Sequence, residues 1–473
     1  MSDDSRSTHL TLCEAADAIA RGELSSRELT QACVDRAHAL QPQLNGFISL
    51  QAEQALEQAA RADATRPRSQ VDGKLHGIPL AHKDMYYRAG HISTCGSKIL
   101  REHRPEHSST ALIRLEAAGA LNLGGLNMAE FAMGPTGHNV HYGACHNPWN
   151  PAHISGGSSS GSGSSVAARI VFGALGSDTG GSIRLPAAAC GLVGVKPTQT
   201  RVSRYGAMGL SHSLDNVGPL ARNARDCARL LGAIAGHDPN DPTSARRRVP
   251  DYEGTTLEPD VRGLCIGVPA AYYRDTVTGE IAALLDASLQ ALEGLGARVV
   301  EVELPDQAQL TDLANVLQGS EAASLHRHWL QTRPGDYGPQ VKARLEYGFA
   351  FGAVQYLQAL NLRSHIAREF VEMAFGRCDV LHVPGIPQLL PTIEATDVGD
   401  APGFAELLSG ISRCTRPFSY LGLPALSMPV GFSADGLPVA CQLAGRPFDE
   451  ARLFEVAAAY ETVTDWTRRA PDI

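Results

Sequence analysis

The chain has 473 residues, 43% of them hydrophobic and 19% charged, with a formal net charge of −9 and a pI near 6.0. This length exceeds what one small core needs, and the composition is that of a globular protein. No apolar run approaches the ~20 residues of a membrane span, and the acidic balance offers no basic stripe for phosphates, which disfavours a membrane protein and a nucleic-acid binder alike.

Met1-Ser2-Asp3-Asp4-Ser5-Arg6 opens acidic and polar, without the basic start and apolar core of a secretory signal, and reads as cytoplasmic. The ten cysteines, Cys13 to Cys441, contain no C-x-x-C pair, which fits reduced thiols better than disulfides or a zinc knuckle. Ser25-Ser26-Arg27-Glu28 matches a capping box and predicts a helix carrying Leu29, Ala32, Cys33 and Ala37; a second helix is expected from Gln51 to Ala64. These form an N-terminal helical segment, residues 1–70, packed on a larger unit of residues 71–473. From Leu75 the texture changes to strands at Gly77–Ala81 and Ala120–Leu123 around a helix at Thr110–Ala118, an alternation typical of an α/β sheet. Residues 156–165 are all Gly and Ser, a linker by composition, yet the apolar pattern resumes at Val166 and predicts a structured loop inside folded sequence. Asp238 to Arg262 reads as a surface excursion. A helix follows at Glu280–Leu295, then strands at Arg298–Val302, Val380–Val383, Leu426–Val430 and Val439–Leu443.

Chemistry concentrates in Gly176-Ser177-Asp178-Thr179-Gly180-Gly181-Ser182-Ile183-Arg184-Leu185-Pro186, which follows an apolar run and leads into a turn where Pro186 tolerates a helix start. Two glycines before Ser182 allow close approach of backbone to ligand and turn the amides of Thr179, Gly180, Gly181 and Ser182 toward a developing oxyanion. A glycine turn with an incidental serine explains the segment equally well in isolation. Three other motifs compete. Gly157-Ser158-Ser159-Ser160-Gly161 fits a nucleophile elbow on Ser159, but Asn147-Pro148-Trp149-Asn150-Pro151 cannot supply the strand such an elbow follows. His103-Arg104-Pro105-Glu106-His107 fits an inverted zinc motif, but Pro105 breaks the helical turn that would align the histidines. No phosphate-binding lysine motif accompanies the Gly/Ser loop. Lys83, after an apolar run, would ordinarily snorkel to water.

Taken together, Gly77-Ile78-Pro79 leading to Lys83, the Gly156–Ser162 loop and the Gly176–Arg184 segment resemble the amidase signature hydrolases, strongly over residues 75–230 and loosely elsewhere. Ser160 stands where the family usually has glycine, and His82 and Met85 flank the lysine unusually. These departures bear on substrate preference and remove no catalytic group. The resemblance implies one large α/β domain with a central mixed twisted sheet covered by helices on both faces. It implies a Ser-Ser-Lys triad of Ser182 as nucleophile, Ser158 as relay after a cis Gly157–Ser158 peptide, and Lys83 as base. The amides named above would form the oxyanion hole, and Met133 and Gly134 would contribute to the substrate pocket. A lysine of ordinary pKa is neutral only about 0.1% of the time near pH 7.4, so the base must be buried.

Cleavage of a carboxamide, anilide, carbamate or urea C–N bond through an acyl-enzyme follows, with no metal or cofactor. The expected partners are a small amide-type substrate and water, without nucleic acid or membrane, and a homodimer is left open. Segments Met128–Asn139 and Tyr205–His212 are expected around the pocket and favour an aryl or apolar group. The glutaminase component of a tRNA-dependent amidotransferase is the alternative; Leu345–Glu369 lacks the Gly-Tyr-Tyr-rich stretch associated with that component, which favours a stand-alone amidase. A binding protein on an inactive amidase scaffold is a third option, weakened by the presence of all three triad residues.

Overall fold

A computed structural model describes residues 7–65, 73–269, 271–399 and 401–473. The expectations resting on Met1–Arg6 and on a boundary near residue 70 lie outside the described residues. Eleven strands form one mixed sheet: β1 Phe47–Leu50, β2 Pro79–Lys83, β3 Leu121–Leu126, β4 Gly173–Asp178, β5 Val193–Lys196, β6 Asn216–Ala221, β7 Cys265–Pro269, β8 Arg298–Val302, β9 Val380–Pro384, β10 Ala425–Phe432 and β11 Pro438–Ala444. Their spatial order is β1-β3-β2-β4-β6-β5-β10-β11-β9-β7-β8. β2 runs parallel to both β3 and β4, and β7 parallel to β8 and β9, while β4–β6, β5–β6, β5–β10 and β10–β11 pair antiparallel. Helices flank this sheet, and the chain is a single α/β domain.

The N-terminal helices belong to the same body. Ser25 caps the helix Ser26–Leu44 with both arms of the predicted capping box, and Leu29, Cys33 and Leu44 join the main core beside Leu80 and Val166. β1 adds a strand to the sheet within that segment, where helices alone had been expected. Asp238–Arg262 is irregular apart from a short turn at Gly254–Thr256, as its Pro and Asp content implies. Among the described residues no helix is long and apolar enough to cross a membrane.

The Gly/Ser stretch is buried and partly helical. Residues Ser160–Ala167 form a helix although SGSGSSVA has poor helix propensity. Packing explains it. A β-carbon on Gly161 would stand 2.4 Å from the Gly46 carbonyl oxygen and 2.5 Å from the Asn127 nitrogen, so this helix approaches neighbouring backbone at a distance only glycine permits. Ser162 Oγ and Ser164 Oγ donate to the carbonyls of Leu175 and His146, which satisfies hydroxyls in a dry interior.

Candidate active site

Lys83 is the last residue of β2, so the parallel pairing with β4 sets its side chain beside Ser177. Its Nζ lies 2.7 Å from Ser158 Oγ and 2.8 Å from Ser177 Oγ, and the side chain is 1% exposed. Burial pulls the Lys83 pKa down to about 7, against the opposing influence of Cys95, Asp215 and Asp178. Lys196 is brought to about 7 as well, by burial and then by the charge of Arg184, but its Nζ donates to the Pro197 carbonyl. Of these two lysines, Lys83 is the one bonded to hydroxyls.

Ser158 follows a cis Gly157–Ser158 peptide, and a β-carbon at residue 157 would meet the Gly134 carbonyl at 2.4 Å. Ser159 is not a free nucleophile: its Oγ donates to the Ser182 carbonyl at 2.5 Å and its backbone N–H reaches the same oxygen at 3.3 Å. These two contacts fasten the Ser182 turn to the Gly/Ser loop. The Ser182 hydroxyl itself makes no hydrogen bond among the described residues, with Ser158 or any other, and the residue lines a cavity of about 20 Å³. The geometry thus brings Lys83 and Ser158 into direct contact and leaves Ser182 Oγ open to a ligand.

Asp178 shapes the turn. Its carboxylate accepts from the Gly181 amide at 2.8 Å and the Ile183 amide at 3.2 Å, and pairs with Arg184 through Nη2 (2.8 Å) and Nε (2.9 Å). Burial alone would raise the Asp178 pKa; the Arg184 guanidinium outweighs that and holds it below the usual carboxylate range. One expected oxyanion donor is corrected by this arrangement. The Gly181 N–H is already taken by Asp178, whereas the amides of Thr179, Gly180 and Ser182 have no acceptor among the described residues.

Gly134 lines the cavity together with Ala132, Pro135 and Leu210, whereas Met133 is buried outside its lining. Tyr205 to Met208 and His212 instead line a separate cavity of about 280 Å³ that also touches Ser177. Ser177 lay inside the nucleophile segment without being singled out. Gln318, Arg344, Ser412 and Arg416 also line the Ser182 cavity, and no motif around them announces it. His82 points away: its Nδ1 accepts from the Leu175 amide, and burial lowers its pKa to about 3. His103 and His107 lie in a non-helical segment, both against the ring of Tyr87.

Residues 28–454 match the amidase family model. The chain is 42% identical to the glutaminase component of the glutamyl-tRNA(Gln) amidotransferase of Moorella thermoacetica, over 98% of this chain and 99% of that protein. The native peptide amidase of Stenotrophomonas maltophilia superimposes with a TM-score of 0.85 at 32% identity, covering 98% of each chain. A chain from a vestigial protein complex, described as revealing the origins of an s-triazine catabolic enzyme, gives a TM-score of 0.89 at 32% identity, covering 96% of this chain and 98% of that one. The strong resemblance read over residues 75–230 therefore extends over almost the whole length, and the chain belongs to the amidase signature family of C–N hydrolases.

Proposed function

We propose that the chain hydrolyses a small carboxamide through an acyl-enzyme on Ser182. The observation that carries this reading is the 2.7 Å contact between Ser158 Oγ and a lysine whose pKa burial brings to about 7. Neutral Lys83 takes the Ser158 proton as Ser158 takes that of Ser182, and Ser182 Oγ bonds to the amide carbon. The carbonyl oxygen gains the negative charge and is received by the amides of Thr179, Gly180 and Ser182. As the C–N bond breaks, the proton on Lys83 returns through Ser158 to the leaving nitrogen. Water then attacks the ester by the same relay and frees Ser182. Anilides, carbamates and ureas present the same carbonyl and belong in the substrate panel. The ten cysteines, all free and buried, support work in a reducing compartment such as the cytoplasm. Turnover of primary amides, lost in Ser182→Ala with the fold intact, tests the proposal; undiminished turnover in that variant refutes it.

A second reading, the glutaminase component of a tRNA-dependent amidotransferase, is favoured by the names of the relatives at 39–42% identity. It brings tRNA and partner proteins back into consideration, against the expectation from charge. Glutamine hydrolysis that appears only when the other amidotransferase components are added would establish it.

A further inference from the structure

The Ser182 cavity contains two guanidinium groups, and no residue lining it is acidic. Arg416, at the start of the helix Arg416–Leu421, is anchored: Nε donates to Ser412 Oγ at 3.0 Å and Nη1 to Asn315 Oδ1 at 2.5 Å. Its guanidinium carbon lies 3.9 Å from where a β-carbon on Gly180 would stand, beside the turn that carries the nucleophile. Arg344, on the helix Pro339–Tyr347, is different. It is half-buried, it makes no hydrogen bond or ion pair with any described residue, and its Nη1 is sealed from solvent without a partner. Burial lowers both arginines to about 10, and the charge of Arg416 lowers Arg344 further.

A guanidinium sealed beside a second one, with no carboxylate to receive it, is costly in the empty protein and is relieved by an anion that enters the cavity. Planar guanidinium matches carboxylate, and a pair of them flanking the reaction centre can hold that carboxylate while the amide carbonyl meets Ser182. An ammonium group brought into the same cavity would face two cations and no acidic partner. The small volume limits the chain between the carboxylate and the amide to a few carbons.

Resting on the Ser182 chemistry proposed above, we infer that the substrate class is a short dicarboxylic acid monoamide: an amide whose acyl fragment carries a carboxylate and no ammonium, held by Arg344 and Arg416. On this reading free glutamine is a poor substrate. Because the acyl fragment stays bonded to Ser182 until hydrolysis, the arginine contact persists through both halves of the reaction and is available to both transition states.

Three amides of one length test the inference: glutaramate, pentanamide, which lacks the carboxylate, and L-glutamine, which adds the α-ammonium. Malonamate and succinamate extend the series. The best monoamide is expected to exceed pentanamide and glutamine by about 100-fold in kcat/KM, on the order of what an unmatched buried polar contact costs. Arg344→Gln and Arg416→Gln should each lower the ratio of monoamide to pentanamide kcat/KM at least about tenfold, with partial recovery in the lysine variants. Calorimetry on Ser182→Ala gives a readout free of turnover: malonate, succinate or glutarate should bind, and the corresponding diamides should not. Turnover without preference for the monoamides, or no dicarboxylate binding to Ser182→Ala, overturns the anion site. Dicarboxylate binding without any amide turnover supports the anion site and sinks the hydrolytic reading on which the substrate assignment rests.

Discussion

Lys83 Nζ and Ser177 Oγ are 2.8 Å apart, inside a sheet interior from which water is excluded. A neutral lysine that donates to Ser177 has its lone pair free for the proton of Ser158, so Ser177 acts as a positioning residue for the base. Replacing it by alanine removes one hydrogen bond, a loss of about 1 kcal/mol or about fivefold in rate. It also removes an acceptor for the charged amine, so the acid limb of the kcat/KM profile should move to lower pH. Ser177→Thr, which keeps the hydroxyl, should restore the limb. A fall in rate with no movement of the limb would mean that Ser177 merely packs.

Ser182→Ala should reduce kcat on the order of 10³-fold or more, since no other hydroxyl forms the acyl bond. Ser159→Ala should behave differently, because Ser159 holds the Ser182 carbonyl and does not face the cavity. Its expected signature is a lowered melting temperature with turnover retained at a reduced level. Intact-mass measurement after fluorophosphonate treatment separates the two: the adduct should form on the Ser159 variant and be absent from the Ser182 variant.

Gly161→Ala should destabilise by about 2 kcal/mol or more, because the added methyl meets the backbone of Gly46 and Asn127, which cannot swing aside. Gly279→Ala, where the added carbon meets nothing within 4 Å at the start of an exposed helix, should be neutral or slightly stabilising. Melting temperatures of the two variants against wild type decide this, and equal shifts would show that the close approach of the Ser160–Ala167 helix is not under strain from volume.

The triad was legible in the sequence because its residues lie in short glycine-bearing segments whose composition is unusual outside such a site. The Ser160–Ala167 helix was not, since its stability comes from close tertiary packing that local propensity does not encode. β5 and β6 carry Gly194, Gly218 and Pro219, which interrupt the two-residue alternation that makes a strand visible. Asp178 stands three residues before Gly181, and a local side-chain-to-amide bond of that kind would have removed Gly181 from the oxyanion donors in advance. Arg344 and Arg416 reach the cavity from helices remote in sequence, and nothing near either one distinguishes it from a surface arginine.

The pH dependence of turnover separates lysine from histidine as the base. With Lys83 at about 7, the fraction of neutral amine rises through that pH, so kcat/KM should climb along one acid limb centred near 7 and level off in the alkaline range. His82 is lowered to about 3 and lies on the far side of β2 bonded to Leu175, so His82→Ala should leave the limb where it is. Stability carries the opposite face of the same shift. The folded pKa of Lys83 lies below the unfolded value of 10.5, so the unfolded chain binds more protons between the two values. The penalty for burying the charged amine is therefore fully present below about pH 7 and fades as pH rises toward 10.5. Lys83→Met should accordingly raise the melting temperature relative to wild type at pH 6, with a difference that shrinks steadily toward pH 10, while abolishing the activity limb. A limb erased by His82→Ala but preserved in Lys83→Met would instead make histidine the base.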